Sequence, residues 1–181
     1  MRFPLILLAA TVFTVLTARA ADEPADGPRP SKRVEEFLGP RTLAILAKAD
    51  RVEVYRVKEG GKGSEQLDGY PIVDIGKPQG KEFAAKLKAV LYDEKTYDFD
   101  TAKACEFMPG VGFRVLSDEG LVDVILCFHC DEMQLYTTDG KHKDVEKKHE
   151  DFDRARPALV KLAKEAFPDD KEIQALKEKK G

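Results

Sequence analysis

The chain has 181 residues, and its 33 acidic and 30 basic side chains nearly cancel, to a net charge of −3. With both signs interspersed it lacks the concentrated basic face that nucleic acid demands, so nucleic-acid binding is excluded as a function class. The length suits one domain with a real core.

The first twenty residues, MRFPLILLAATVFTVLTARA, have the layout of a secretory signal peptide. Arg2 is a positive n-region, Leu5 to Leu16 is apolar apart from threonines, and Ala18-Arg19-Ala20 is an A-x-A cleavage site. The apolar run is shorter than the 18 or so residues of a membrane span, and no later segment approaches that length. No cysteine lies at the cleavage point, so a lipid anchor is not expected. The reading is an exported soluble protein, periplasmic or extracellular, that starts at Ala21 and keeps no stable membrane anchor.

Residues 21–30, ADEPADGPRP, are acidic, proline-rich and almost without bulky apolar side chains, which predicts a disordered leader. A single α+β domain is expected over 31–181. Ser31 is a suitable N-cap for a short helix carrying Val34, Phe37 and Leu38, with Gly39 at its C′ position. Pro40 opens a second helix with Leu43, Ile45 and Leu46. RVEVYRV at 51–57 is rich in β-branched and aromatic residues and reads as a strand. The loop KEGGKGSEQLDG follows, then a short strand over Tyr70–Ile75. Phe83, Ala84, Leu87, Val90 and Leu91 recur at helical spacing.

The second half alternates cleanly. VGFRVLS at 111–117, the turn residues at 118–120 and LVDVILCFH at 121–129 form a hairpin signature. EMQLYTT at 132–138 reads as another strand. Residues 141–153 are charged throughout and read as solvated. Pro157 opens a helix with Leu159, Val160, Leu162, Ala163 and Phe167, and a weaker helix is expected over 170–179. The predicted fold is α+β, an antiparallel β-sheet of about four to six strands with helices packed on one face.

The chemistry-bearing residues concentrate in ILCFHCDEM at 125–133. If the strand runs through Cys130, Cys127 and Cys130 point to opposite faces with Cα atoms about 10 Å apart. That exceeds the roughly 7 Å limit of a disulfide, and only a tight turn at CFHC would permit the bond. A redox C-x-x-C needs such a turn at a helix N-terminus, whereas strand-like sequence follows here. Haem attachment needs C-x-x-C-H, and His129 stands between the cysteines instead. A zinc finger through His142 and His149 misses its spacing, since on a helix those side chains lie about 10 Å apart along the axis. Export makes a disulfide the default. The candidates are Cys105, Cys127 and Cys130, with Cys105 bonded to either of the others and Cys127 preferred; the third is then a buried small hydrophobe. Closing such a loop is worth roughly 3 kcal/mol in the chain-entropy model. The alternative is a metal-binding or thiol-dependent site built from Cys105, Cys127, His129 and Cys130.

Elsewhere the sequence offers little chemistry. GGKGS at 60–64 misses the phosphate-loop pattern and reads as a hairpin tip. PGVGF at 109–113 suggests a bulge or bend. Ser117 lies in no G-x-S-x-G context. His129 is expected to be an ordinary strand residue, hydrogen-bonded or exposed.

KACEFMPGVGFRV at 103–115 and VDVILCFHCDEMQLY at 122–136 resemble a group of small exported bacterial proteins of unknown function. The shared residues are Lys103, Cys105, Phe107, Pro109 and Arg114, then Val122, Val124, Cys127, Phe128 and Cys130. The resemblance covers mainly the second half. It implies an exported α+β domain with its cysteines as a unit, and it brings no activity. With no coherent set of nucleophile, base and orienting group, the expected function is a non-enzymatic binding protein that meets another protein or an envelope component. No cofactor and no catalytic residues are assigned.

Overall fold

A computed structural model describes residues 29–60, 65–101, 103–139 and 144–179. The expected signal peptide, most of the leader, the GGKGS tip beyond Gly60, and His142 fall outside the described residues.

The chain opens with α1 (Lys32–Lys48), whose N-cap Ser31 accepts a hydrogen bond from the Val34 amide. The two predicted helices run together here across a kink: Gly39 takes φ 77°, open to glycine without strain, and Pro40 restarts the helical path. Then follow β1 (Arg51–Val57), β2 (Gln66–Leu67), β3 (Tyr70–Ile75) and α2 (Lys81–Tyr92). The second half comprises β4 (Val111–Ser117), β5 (Gly120–Cys127), β6 (Glu132–Thr138), β7 (Glu146–Asp151), α3 (Arg156–Ala166) and α4 (Lys171–Gln174). Among the described residues no helix is long and apolar enough to cross a membrane.

All pairings are antiparallel, and the seven strands lie in the order β2-β3-β1-β4-β5-β6-β7. The α+β class and the antiparallel sheet are as expected; the strand count is higher for two reasons. β2 is a two-residue stub folded back on β3 through Asp68-Gly69. β7, EKKHED, lies in the stretch read as solvated charge. It pairs along β6 from Glu132↔Asp151 to Thr137↔Glu146, because an edge strand needs backbone pairing more than apolar alternation. The last helix is also shorter than predicted, a single turn.

One face of the sheet carries Val52, Val54, Phe113, Val115, Val124, Leu126, Met133 and Leu135, all buried under α1, α2 and α3. Phe83 of α2 meets Phe113 edge-on with ring centroids 5.5 Å apart. The opposite, outer face is also covered, by two pieces of irregular chain. The β2–β3 hairpin lays Leu67 on it, and the strap 103–110 lays Phe107 on it; Val57, Leu67 and Ile125 form a second apolar cluster there. This explains the near-continuous burial of β5. It also revises the reading of PGVGF. The register through Gly112 is unbroken on both sides, and the glycine makes room for Leu67, whose Cδ2 would lie 2.3 Å from a Cβ there and would have to shift.

Candidate functional site: the cysteine turn and the outer face

β5 stops at Cys127, and residues 128–131 form a tight turn into β6. This corrects the expectation of a strand through His129: the histidine sits exposed in the turn. Asp131 closes the turn with φ 59°, a left-handed conformation that Asp tolerates. Four carbonyls in and beside the turn have partners. Cys127 O accepts from the Asp131 amide at 2.9 Å, and Asp131 O from the Phe152 amide at 2.7 Å. Phe128 O accepts from Arg156 Nη1 at 2.7 Å, and Cys130 O from Lys103 Nζ at 2.7 Å. Buried backbone acceptors left without such partners would cost about as much as lost hydrogen bonds.

Two charged residues hold the knot. Arg156, buried at the start of α3, pairs with the buried Asp131 carboxylate and donates through Nε to Lys177 O at 2.9 Å. Lys103 pairs with Asp153 and lies 3.8 Å from Asp151. The ring of Phe128 packs edge-on against Phe152, with the Arg156 guanidinium over its face.

Cys105 is bonded to Cys130, with Cα atoms 6.1 Å apart and a separation of 25 positions in sequence. The preference for Cys127 is therefore overturned. Cys127 alternates with Leu126 along β5, so its side chain lies on the outer face, fully buried. Cys130 lies within the turn, beside the strap that Lys103 ties to its carbonyl. The cysteine-bearing segments singled out in the sequence now have places. Lys103, Cys105, Phe128 and Cys130 build the knot. Phe107 packs against Tyr70 and His149, and Pro109 is buried where the strap enters β4. Val122 and Val124 are core.

The outer face is otherwise polar, and sequence reasoning missed it. Arg114 donates two 2.8 Å hydrogen bonds to the buried Asp123. Tyr70 and Tyr136 both donate to Gln134 Oε1, at 3.0 and 2.6 Å. Tyr55 donates to Glu53 at 2.7 Å, and burial together with that carboxylate pushes its phenol up to about 12. Asp68, at the β2–β3 turn, faces Asp123, and its buried Oδ2 meets no donor among the described residues. Burial, then the neighbouring Asp123 carboxylate, raise Asp68 to about 7. The missed signal was the cross-strand register of Arg114↔Asp123, invisible until β4 and β5 are paired.

The metal alternative finds no support in the arrangement. Two of its sulfurs are bonded to each other, His129 points out of the turn into solvent, and among the described residues no three His, Cys, Asp or Glu side chains are grouped to hold an ion.

A separate groove of about 700 Å³ runs between β3 and the α3–α4 connection, lined by Val73, Ile75, Lys77, Phe167, Asp170 and Glu172. Val73 and Ile75 are 52% and 57% exposed. Arg56 closes one end, held by Asp170 and Glu172 at 2.8 Å each and by Gly110 O at 2.6 Å.

No family model, no curated protein and no solved structure matches this chain.

Proposed function

We propose that the protein is an exported, non-enzymatic binding domain that holds an extended segment of another exported protein along β3. The observation that carries this reading is the exposed pair Val73 and Ile75 at the mouth of the groove. Both side chains line the groove, Val73 as the extra residue of a β-bulge opposite β1. An extended partner with apolar side chains at positions i and i+2 can cover both.

The edge of β3 supports the same mode. Asp74 and Ile75 pair with β1 on one side, Val73 bulges out of that ladder, and among the described residues no strand lies on the other over 73–75. Gly76 donates back to Val54 O at 3.0 Å, so the Ile75 amide faces away from β1, where its own neighbour Asp74 accepts from it at 2.9 Å. A charged residue guarding an open edge discourages indiscriminate pairing while leaving room for a specific strand. Export is supported by the signal-like residues 1–20 and by the Cys105–Cys130 disulfide, a bond that persists in oxidising compartments.

The test is selection of binders from a random peptide library on the purified protein. Enriched peptides are expected to carry two apolar residues two apart. Ile75→Asp should weaken them at least about tenfold, roughly 1.4 kcal/mol, while Val145→Asp, at an exposed apolar residue outside the groove, leaves them unchanged. Equal loss in both variants, or no enrichment at all, overturns the reading.

A further inference from the structure

We propose that Cys130 is a switchable sulfur: the buried Cys127 thiol can displace Cys105 from it, converting the Cys105–Cys130 disulfide into a Cys127–Cys130 disulfide and freeing Cys105. This stands apart from the groove, and neither reading depends on the other.

Four observations carry it. First, the 128–131 turn abolishes the separation that a continuous strand would impose. The Cys130 amide donates to Cys127 Sγ at 3.3 Å, and turn ends lie within about 7 Å, the outer limit for a disulfide. Cys130 thus has two sulfurs in reach, one already bonded at 6.1 Å between Cα atoms. Second, the backbone of the turn has no need to move. The carbonyls of Cys127, Phe128, Cys130 and Asp131 are fixed by Asp131, Arg156, Lys103 and Phe152, so exchange is a matter of side-chain rotation at the cysteines.

Third, a proton acceptor stands beside the attacking thiol. Glu132 lies directly across the ladder from Cys127, is 2% exposed, and its Oε2 has no hydrogen-bond partner among the described residues. His149 Nε2 lies 3.8 Å from that oxygen, on β7. Fourth, the leaving sulfur is open to water. Cys105 is exposed, and the strap around it has no regular secondary structure.

The exchange balances without an external oxidant. The Cys127 sulfur gives its proton to Glu132 and forms a bond to Cys130 Sγ as the Cys130–Cys105 bond breaks. Cys105 leaves as thiolate and takes a proton from water, and Glu132 releases its own. One disulfide and one thiol enter and leave. The consequence is mechanical: the strap loses its covalent tie at Cys105, and Phe107, seated between Tyr70 and His149, is the main apolar contact left holding it to the outer face.

Peptide mapping of the wild-type protein decides the matter. The chain is equilibrated near pH 8 without reductant, quenched with acid, alkylated with N-ethylmaleimide and cut with trypsin. Cleavage after Lys103, Arg114 and Lys141 places Cys105 on 104–114 and both other cysteines on 115–141. The unexchanged form gives those two peptides joined, with one alkylated thiol. The exchanged form gives an alkylated 104–114 and a separate, internally bonded 115–141. We expect a measurable exchanged fraction whose rate of appearance drops about tenfold or more in Glu132→Gln, with the final ratio unchanged. Cys105→Ser treated with oxidised glutathione should close to a Cys127–Cys130 bond with no free thiol. Wild-type maps that contain only the joined peptides after prolonged equilibration overturn the proposal, whether or not Cys105→Ser folds. An unaltered rate in Glu132→Gln removes Glu132 from it.

Discussion

The two faces of the same sheet are closed by different physics. On the inner face Val54, Phe113, Val124, Leu126 and Leu135 disappear under three helices, and the polar exception among them is matched locally, Thr42 hydrogen-bonding Thr137 at 2.8 Å. On the outer face the same strands present Arg114, Asp123, Glu132, Gln134 and Tyr136, covered by a hairpin and a disulfide-tied strap. Apolar burial is non-directional and sums over area. Polar burial holds only where each partner is placed, and an unmatched group such as Asp68 Oδ2 or Glu132 Oε2 subtracts from stability. The inner face therefore supplies most of the stability. The outer face supplies the parts that can change state.

The sharpest way to break this comparison is to remove bulk from each face. Phe113→Ala, in the centre of the inner face, should cost about 3–5 kcal/mol in urea unfolding, close to the whole stability of a marginal domain. A loss under about 1 kcal/mol would mean that the helical layer does not dominate.

Cutting the strap comes next. Cys105→Ser should lower stability by roughly 3 kcal/mol, the chain-entropy worth of a loop of this length. By hydrogen exchange the loss should fall first on residues 103–110 and 66–72, with β4 and β5 still protected. Uniform deprotection of all seven strands would instead make the disulfide a support of the whole sheet.

The smallest expected effect is the most diagnostic, because it carries a sign. Asp68 titrates at about 7 when folded, against its ordinary 3.8, so between those values the folded chain keeps a proton that the unfolded chain releases. Stability must then fall as pH rises from about 4 to about 7 and level off above. Asp68→Asn keeps the left-handed turn and removes the ionisation. It should be more stable than wild type by roughly 1 kcal/mol near pH 8, a figure discounted for the partial exposure of the turn, and equal to it below about pH 4. Melting curves at the two ends of that range check this; the reverse order would mean that the Arg114 guanidinium, not the Asp123 carboxylate, governs the site.

How much of this was legible beforehand follows the same division. Ser31, Gly39 and Pro40 announced the shape of α1, and the period of Phe83, Leu87 and Leu91 announced α2, because caps and amphipathic spacing act within a few residues. β4 and β5 were legible from their alternation and the turn between them. β7 was not, since EKKHED has no apolar period and becomes a strand only when β6 offers its edge. The end of β5 was misplaced for a related reason. Nothing in CFHC itself marks a turn, and the carbonyls it frees are taken up by Arg156, Lys103 and Phe152, distant along the chain.

That misplacement decided the cysteines. The sequence by itself determined the α+β class, the helix-covered face and the presence of one disulfide to Cys105, all of which rest on local periodicity and composition. Only the tertiary structure decided that Cys130 is the partner, that Cys127 is buried across the ladder from Glu132, and that Val73 and Ile75 stay uncovered beside a groove. Those outcomes depend on which distant segments meet. The free energy that selects among such meetings is summed over the whole fold and is written in no short stretch of it.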